Sequence, residues 1–316
     1  MEFLVSLNEN YLLPAGVLLC SLFENNKEEE VNVHLFLGEG KDGFWQPLCD
    51  LCQKYHQQVS LYHLNETNTL GKMPGMDLSR YPLEAYNRLF MTMFLPEEIH
   101  KVIYLDCDMV VCENLHSLWE ENIDEYAVGA VDEYAVGAVD EYTVGKRVGY
   151  DAKYGYFNSG MLLVNLDYWR NNNVTSLFVE YIKNNPQKLR FADQDVLNSI
   201  FYDNKKNLPI RYNLTTDMLR NDLQISSEYF AEIDAAYQNP TIIHFIMPDR
   251  PWFKNNKHPL RHYWEQYRDL TIWEGQFMER KRAKRTVKSI LHSARALLNH
   301  LIKFHSMSIY NKKYLN

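Results

Sequence analysis

Residues 101–111 read KVIYLDCDMVV, and this stretch decides the fold. Residues 102–105 (VIYL) form a short apolar run rich in branched and aromatic side chains. A helical stretch precedes it and an acidic cluster follows it, so it reads as a buried central strand. Residues two apart in extended chain share a side, so Asp106 and Asp108 are expected to converge while Cys107 points away. Two adjacent carboxylates repel each other and need a positive partner. A hard divalent cation supplies one, and such cations bind few protein carboxylates plus substrate phosphates. A bare D-x-D is a short pattern, and acids of a loop that bind nothing are its common source. The strand context changes that reading, because ligands of open α/β sheets sit beyond the carboxyl ends of the strands.

Outward from this stretch, residues 3–7 (FLVSL), 31–37 and 59–64 read as strands, with helices over 15–23 (after Pro14) and 44–56 between them. This β-α-β-α-β rhythm predicts an α/β chain with a mostly parallel sheet and crossover helices. Residues 82–95 read as a helix, 160–166 (GMLLVNL) as a strand, and 193–202 as a helix starting at an acidic cap, for which Asp193 is the candidate. Residues 241–246 (TIIHFI) read as a late strand that Pro248 and Pro251 end. His244 sits in that strand; a lone histidine among apolar residues is usually a satisfied core residue. A borderline metal such as Mn²⁺ accepts one imidazole beside two carboxylates, which keeps His244 as a candidate ligand.

The segment AVGAVDEY occurs at 127–134 and again at 135–142. A period of eight is too short for a solenoid and points to a local tandem duplication.

The 316 residues are 46% hydrophobic and 23% charged, an ordinary globular balance. The net charge of −8 is uneven: ten Lys/Arg against Glu279 give residues 279–316 a charge of +9, leaving −17 on residues 1–278. No run approaches the length of a membrane span, and the opening residues lack the basic start and long apolar stretch of a signal peptide. The five cysteines are an odd number, and Cys49-x-x-Cys52 has no second pair, so free thiols in a reducing, cytoplasmic setting are expected. From Val287 to Ile302 apolar residues recur at helical spacing, just after the basic cluster 280–285. A basic amphipathic helix of this kind reads as a membrane-surface anchor over residues 280–305, with a helix packed on the body or on a partner as the alternative. The acidic body and the lack of any nucleic-acid motif argue against nucleic acid as a partner.

Six segments in order, NENY after the first strand, AYNRLF, KVIYLDCDMVV, GYFNSGMLLVNLDYW, FADQDVLN and HFIMPDRPW, together resemble glycosyltransferase family 8, over about residues 3–255. That family includes the retaining bacterial lipopolysaccharide galactosyl- and glucosyltransferases. The resemblance implies a GT-A fold, Rossmann-like with a mostly parallel central sheet, over residues 1–255. A helical connector over 256–280 and a basic amphipathic tail over 281–316 would follow. It implies a UDP-hexose donor, a Mn²⁺ (or Mg²⁺) cofactor, and a saccharide or lipid-linked glycan acceptor such as lipopolysaccharide. The place of action would be cytoplasmic, peripheral at the inner face of a bacterial membrane.

By the same resemblance Asp106, Asp108 and His244 are the metal ligands. Asn8 and Asn10 lie beside the uridine, and Arg88 reaches the donor phosphates and sugar. Asn158, Asp193 and Gln194 line the donor sugar and reaction centre, and either Asp132 or Asp140 meets the sugar, the duplication hiding which. This chain departs from the family at Asn8, where Asp is frequent, and at Met247, Asp249 and Arg250, where the usual motif has a glycine, no acid, and a lysine on the diphosphate. Arginine binds phosphate with planar, bidentate geometry instead. An amide such as Gln194 is a poor nucleophile, so attack on the leaving-group face is the expected route to retention. Two alternatives remain at this level: a sugar-nucleotide or glycan-binding protein weakened at the phosphate clamp, and a nucleotidyltransferase.

Overall fold

The computed structural model describes residues 1–64, 83–133, 149–220, 225–246 and 250–279, with Asn311 and Tyr314. Strands β1 (Glu2–Leu7), β2 (Asn32–Leu37) and β3 (Gln58–His63) alternate with helices α1 (Leu12–Asn25) and α2 (Gln46–Lys54). Then come β4 (Lys101–Leu105), β5 (Met109–Val111), the short α3 (His116–Trp119), β6 (Val128–Asp132) and β7 (Phe157–Asn165). Helices α4 (Leu166–Asn171), α5 (Val174–Asn184) and α6 (Ala192–Phe201) precede β8 (Lys205–Asn207) and β9 (Leu214–Thr215). Helix α7 (Phe230–Gln238), strand β10 (Ile242–His244) and helix α8 (Arg261–Arg268) complete the described elements.

The main sheet has seven strands in the order β3-β2-β1-β4-β7-β6-β8. Only β7 runs against the rest, pairing antiparallel with β4 and β6, while the other neighbours are parallel. The expected mostly parallel α/β architecture is what the chain adopts. A second sheet, β5-β10-β9, follows directly from the turn after β4.

Central strands are buried on both faces, which is why they read as unbroken apolar runs. In β1, Phe3, Val5 and Leu7 enter one core and Leu4 the other; in β4, Ile103 and Leu105 enter the first and Val102 and Tyr104 the second. Helix α1 is buried all round from Pro14 to Phe23, as expected of a helix held between sheet and further helices. Pro14 is tolerated because the first turn needs no intrahelical N–H donor. Each fully buried Phe or Leu of these cores contributes about 1.5–3 kcal/mol.

Three sequence readings shift. Residues 83–95 do not form an α-helix; they carry two 3₁₀ segments, Leu83–Ala85 and Asn87–Met93. The strand read at 160–166 starts earlier, at Phe157. The first copy of the duplication supplies β6, and the whole of the second lies outside the described residues. All five cysteines are free. No helix among the described residues is long and apolar enough to cross a membrane; the anchor expected over 280–305 lies outside them.

Candidate active site

Topology gathers the site at one edge of the sheet. Strands β1 and β4 are parallel neighbours, so both run to the same edge of the sheet and deliver Asn8 and Asp106 to one cavity. Strand β7 arrives from the opposite direction: Met161 pairs with Leu105, and the Asp106 N–H donates to the Gly160 carbonyl at 2.8 Å. Between the Ala130–Leu162 and Asp132–Phe157 pairs, two steps along β6 match five along β7. That bulge displaces residues 158–161 from regular pairing and leaves Asn158, Ser159 and Gly160 at the strand end, as bulges next to active sites do. In the second sheet His244 pairs with Met109, one residue beyond Asp108.

Asp106, Asp108 and His244 therefore meet, each offering one ligand atom within 4.8 Å of the others. The carboxylates converge across a turn joining β4 to β5, not by alternation along a strand as the spacing predicted. Asp106 Oδ1 accepts from Arg88 Nη2 and from the Tyr104 hydroxyl, both at 2.7 Å. Its Oδ2 is turned to His244 Nε2, 4.0 Å away. Asp108 Oδ1 lies 3.2 Å from the same Nε2, and its Oδ2 lies 3.5 Å from Arg250 Nη2. Burial alone would raise the Asp108 pKa, but His244, then Arg250, hold it below the usual carboxylate value. The Nε2 edge of the imidazole thus faces two carboxylates, and a positive charge, a proton or a metal ion, suits the space between them. Two carboxylate oxygens and one imidazole nitrogen suit a borderline divalent ion such as Mn²⁺. Gly160 keeps that space open. A Cβ there would collide with His244 Cε1 and stand 2.9 Å from Asp106 Oδ2 and 3.0 Å from Asn158 Oδ1.

Arg88, only 5% exposed, bridges the two halves of the site. Besides Asp106 it donates to the Ser159 carbonyl at 2.5 Å and lies 4.2 Å over the Tyr104 ring. Its Nε is 3.1 Å from Asp193 Oδ2, an ion pair off hydrogen-bond alignment, since both atoms count as buried without a hydrogen-bond partner. Burial works against the Arg88 charge, yet Asp106 and Asp193 raise its pKa above the usual arginine value. Asp193 is pushed up to about 6 by burial; Arg88 offsets this in part, and the nearby Asp106 charge adds to the rise. Asp193 is not the helix cap: Phe191 holds that position without a side-chain cap, and the Asp195 carboxylate, inside the first turns of α6, accepts the Phe191 N–H at 2.7 Å. Ala192 there holds φ +47°, a left-handed conformation that is costly for a residue with a Cβ.

Gln194 Oε1 accepts from the Ser159 N–H at 3.1 Å, and Asn158 Nδ2 donates to Glu133 Oε1 at 2.6 Å. Burial raises the Glu133 pKa, with the Asn158 hydrogen bond opposing it. Arg250 donates to the Tyr11 hydroxyl and lies over the Tyr11 and Trp252 rings, at 5.5 and 5.3 Å. Its Nε is buried with no hydrogen-bond partner, an orphaned donor beside the proposed ion site.

A cavity of about 300 Å³ is walled by Asn8, Arg88, Asp106, Asp108, Asp193, Gln194 and Arg250 among others. Asn158 and His244 stand behind that wall, and Asn10 gives its backbone N–H to Asn8 Oδ1 at 3.1 Å. Asp132 is not in the wall; its carboxylate is paired with Lys205, and its neighbour Glu133 turns to Asn158 instead. Asp140, Met247 and Asp249 lie outside the described residues. Sequence reasoning missed Tyr11, Tyr104, Glu133, Ser159 and Asn213. The first four adjoin quoted motif residues; nothing in the pattern singles out Asn213.

The family model described as glycosyl transferase family 8 matches residues 3–256. The chain belongs to glycosyl transferase family 8. It is 28% identical to general stress protein A of Bacillus subtilis (strain 168) over 279 residues, 86% of this chain and 94% of that protein. It is 26% identical to a lipopolysaccharide 1,2-glucosyltransferase of Escherichia coli over 85% of this chain and 78% of that one. Among solved structures it is similar to galactosyltransferase LgtC in complex with donor and acceptor sugar analogs. The TM-score is 0.71 and the identity 18%, over 86% of this chain and 96% of that one. The family 8 fold here is GT-A, and the protein is a glycosyltransferase.

Proposed function

We propose that this family 8 enzyme transfers a hexose, glucose or galactose, from a UDP-sugar to a saccharide or lipid-linked glycan with retention at the anomeric carbon. The observation that carries the reading is that Asp106 and Asp108, which line a cavity together with Arg88 and Arg250, converge on His244. The similarity to a lipopolysaccharide glucosyltransferase supports a lipopolysaccharide-type acceptor.

Asp106, Asp108 and His244 would hold Mn²⁺ (or Mg²⁺). When bound, such a cation neutralises developing charge on a diphosphate leaving group. Arg250, braced by Tyr11 and Trp252, presents its guanidinium to the phosphates. Asn8, at the carboxyl end of β1, stands where the nucleoside would lie. Asp193 and Arg88 line the cavity, where their polar groups would meet sugar hydroxyls, as the few placed polar groups of a ligand cleft do. The Gln194 carbonyl oxygen is engaged by Ser159, which suits a positioning role and same-face attack by the acceptor. The basic residues 280–305 would keep the enzyme at an anionic membrane surface, on the cytoplasmic side.

The test is release of UDP from UDP-glucose and UDP-galactose, with and without Mn²⁺, alone and with oligosaccharide acceptors. Mn²⁺-dependent UDP release, abolished by Asp108→Asn, and an axial anomeric linkage seen by NMR are expected. Release of hexose 1-phosphate, with UMP passing to an acceptor, would point to nucleotidyl transfer instead, and tight donor binding without turnover to a binding protein.

A further inference from the structure

His244 is useful as a metal ligand only if the nitrogen facing the carboxylates carries a lone pair, and the structure shows what secures this. The backbone N–H of Gly160 donates to Asn158 Oδ1 at 2.9 Å. A backbone N–H can only donate, so that Asn158 atom must be the amide oxygen. Asn213 faces the same oxygen at 3.0 Å and must present its amide Nδ2. Its other end is then Oδ1, which lies 3.0 Å from His244 Nδ1. An amide oxygen only accepts, so Nδ1 carries the proton and Nε2 is left as the ligating atom. Asn213 is fully buried, His244 is 2% exposed and Asn158 6%, so water offers no substitute partner. At its other end the chain continues: Asn158 Nδ2 donates to Glu133 at 2.6 Å and reaches Gln194 Oε1 at 3.4 Å.

We propose that Asn213, which does not line the cavity, is a positioning residue that fixes the tautomer and ring orientation of His244 for metal binding, with its own polarity set by the Gly160 backbone through Asn158. The position needs an acceptor toward His244 and a donor toward Asn158, which Asn provides in one planar group. Partners that hold the far nitrogen of a ligating histidine in this way typically contribute 10–100-fold in metal affinity. The same line of bonds ties the ion site to Gln194, so disturbance at one end is felt at the other.

This rests on the reading of Asp106, Asp108 and His244 as the ion site, and the experiment separates the two. Free Mn²⁺ is titrated by electron paramagnetic resonance against the full-length wild type, Asn213→Ala and Asn213→Asp. The alanine variant should bind about 10–100-fold more weakly. The aspartate variant keeps an acceptor opposite Nδ1 but, unless protonated, sets a carboxylate oxygen against Asn158 Oδ1, so it should bind Mn²⁺ less tightly than wild type yet more tightly than Asn213→Ala. A merely structural role would weaken both alike, and that result overturns the proposal, as does wild-type affinity in Asn213→Ala. Wild type that binds no Mn²⁺ would remove the ion site itself. Should the alanine variant fail to fold, a long-range ¹H–¹⁵N spectrum of wild type loaded with diamagnetic Cd²⁺ reads the tautomer directly. A protonated Nδ1 on His244 is expected, and an unprotonated one contradicts the proposal.

Discussion

Gly160 is the residue on which the proposed ion site turns. Its backbone does three things at once: the carbonyl accepts from Asp106, the N–H orients Asn158, and the missing side chain leaves room between His244 and Asp106. Gly160→Ala should keep the fold, since the strand conformation suits any residue, yet weaken Mn²⁺ binding by at least about tenfold, in line with disturbed ligand geometry. Unchanged Mn²⁺ affinity in a calorimetric titration would contradict this. Asp193 gives a second residue-level expectation. Its folded pKa of about 6 lies above the ordinary 3.8, so the protonated form is favoured on folding. The resulting stabilisation is fully present below pH 3.8 and is lost as pH rises through 6. In metal- and donor-free protein, the melting temperature of wild type relative to Asp193→Asn should therefore fall between these pH values. A constant difference would show that burial does not govern this carboxyl. At this scale the sequence was only partly readable. Asp106 and Asp108 stood out because strand and acids adjoin. Asp132 did not sort itself from Asp140, because its partner Lys205 is 73 residues away and no local pattern announces the pair.

Elements set what residues can do. The N-terminal end of β7 was read three residues too late because FNSG is polar, and polarity there reflects the bulge that opens the site. The D-x-D stretch was read as extended chain, but the switch from the main sheet to the second sheet requires a turn. The 3₁₀ segment Asn87–Met93 replaces an expected α-helix, and tertiary demand explains it: Arg88 must enter the core to meet Asp106, Asp193 and Ser159 together. Removing one partner of a buried ion cluster leaves uncompensated charge, so Arg88→Ala should cost about 3–5 kcal/mol. Denaturant unfolding monitored by tryptophan fluorescence measures this, and a loss under about 1 kcal/mol would mean that water already reaches the cluster.

On the scale of the whole molecule, two cores on either side of one sheet hold the strand ends in register, and the unbroken apolar runs separated by helical segments make that architecture legible. Of the second sheet only β10 is legible, within 241–246, because β5 and β9 are three and two residues long. After the basic tail the chain meets the body again: Tyr314 is buried, its hydroxyl donates to Asp234 at 2.5 Å, and its ring lies 4.5 Å from that of Tyr237. The body carries −17 and residues 279–316 carry +9, so attraction to anionic lipid must come from the tail. Vesicles rich in phosphatidylglycerol should co-sediment with the full chain at low salt and release it at about 0.5 M salt, where charges are screened. Replacing Arg280, Lys281, Arg282, Lys284 and Arg285 with serine should abolish this while leaving UDP release intact. Co-sedimentation that survives those changes would assign membrane contact to another surface.

The central claim is that Asp106, Asp108 and His244 share one divalent ion against a nucleoside diphosphate. Anomalous diffraction at the manganese edge, from crystals grown with Mn²⁺ and UDP, tests it most directly. One strong peak bounded by those three side chains and by phosphate oxygens, with Arg250 on the same phosphates, is the expected result. UDP density with no manganese among the three residues, or manganese seated elsewhere, would contradict the account.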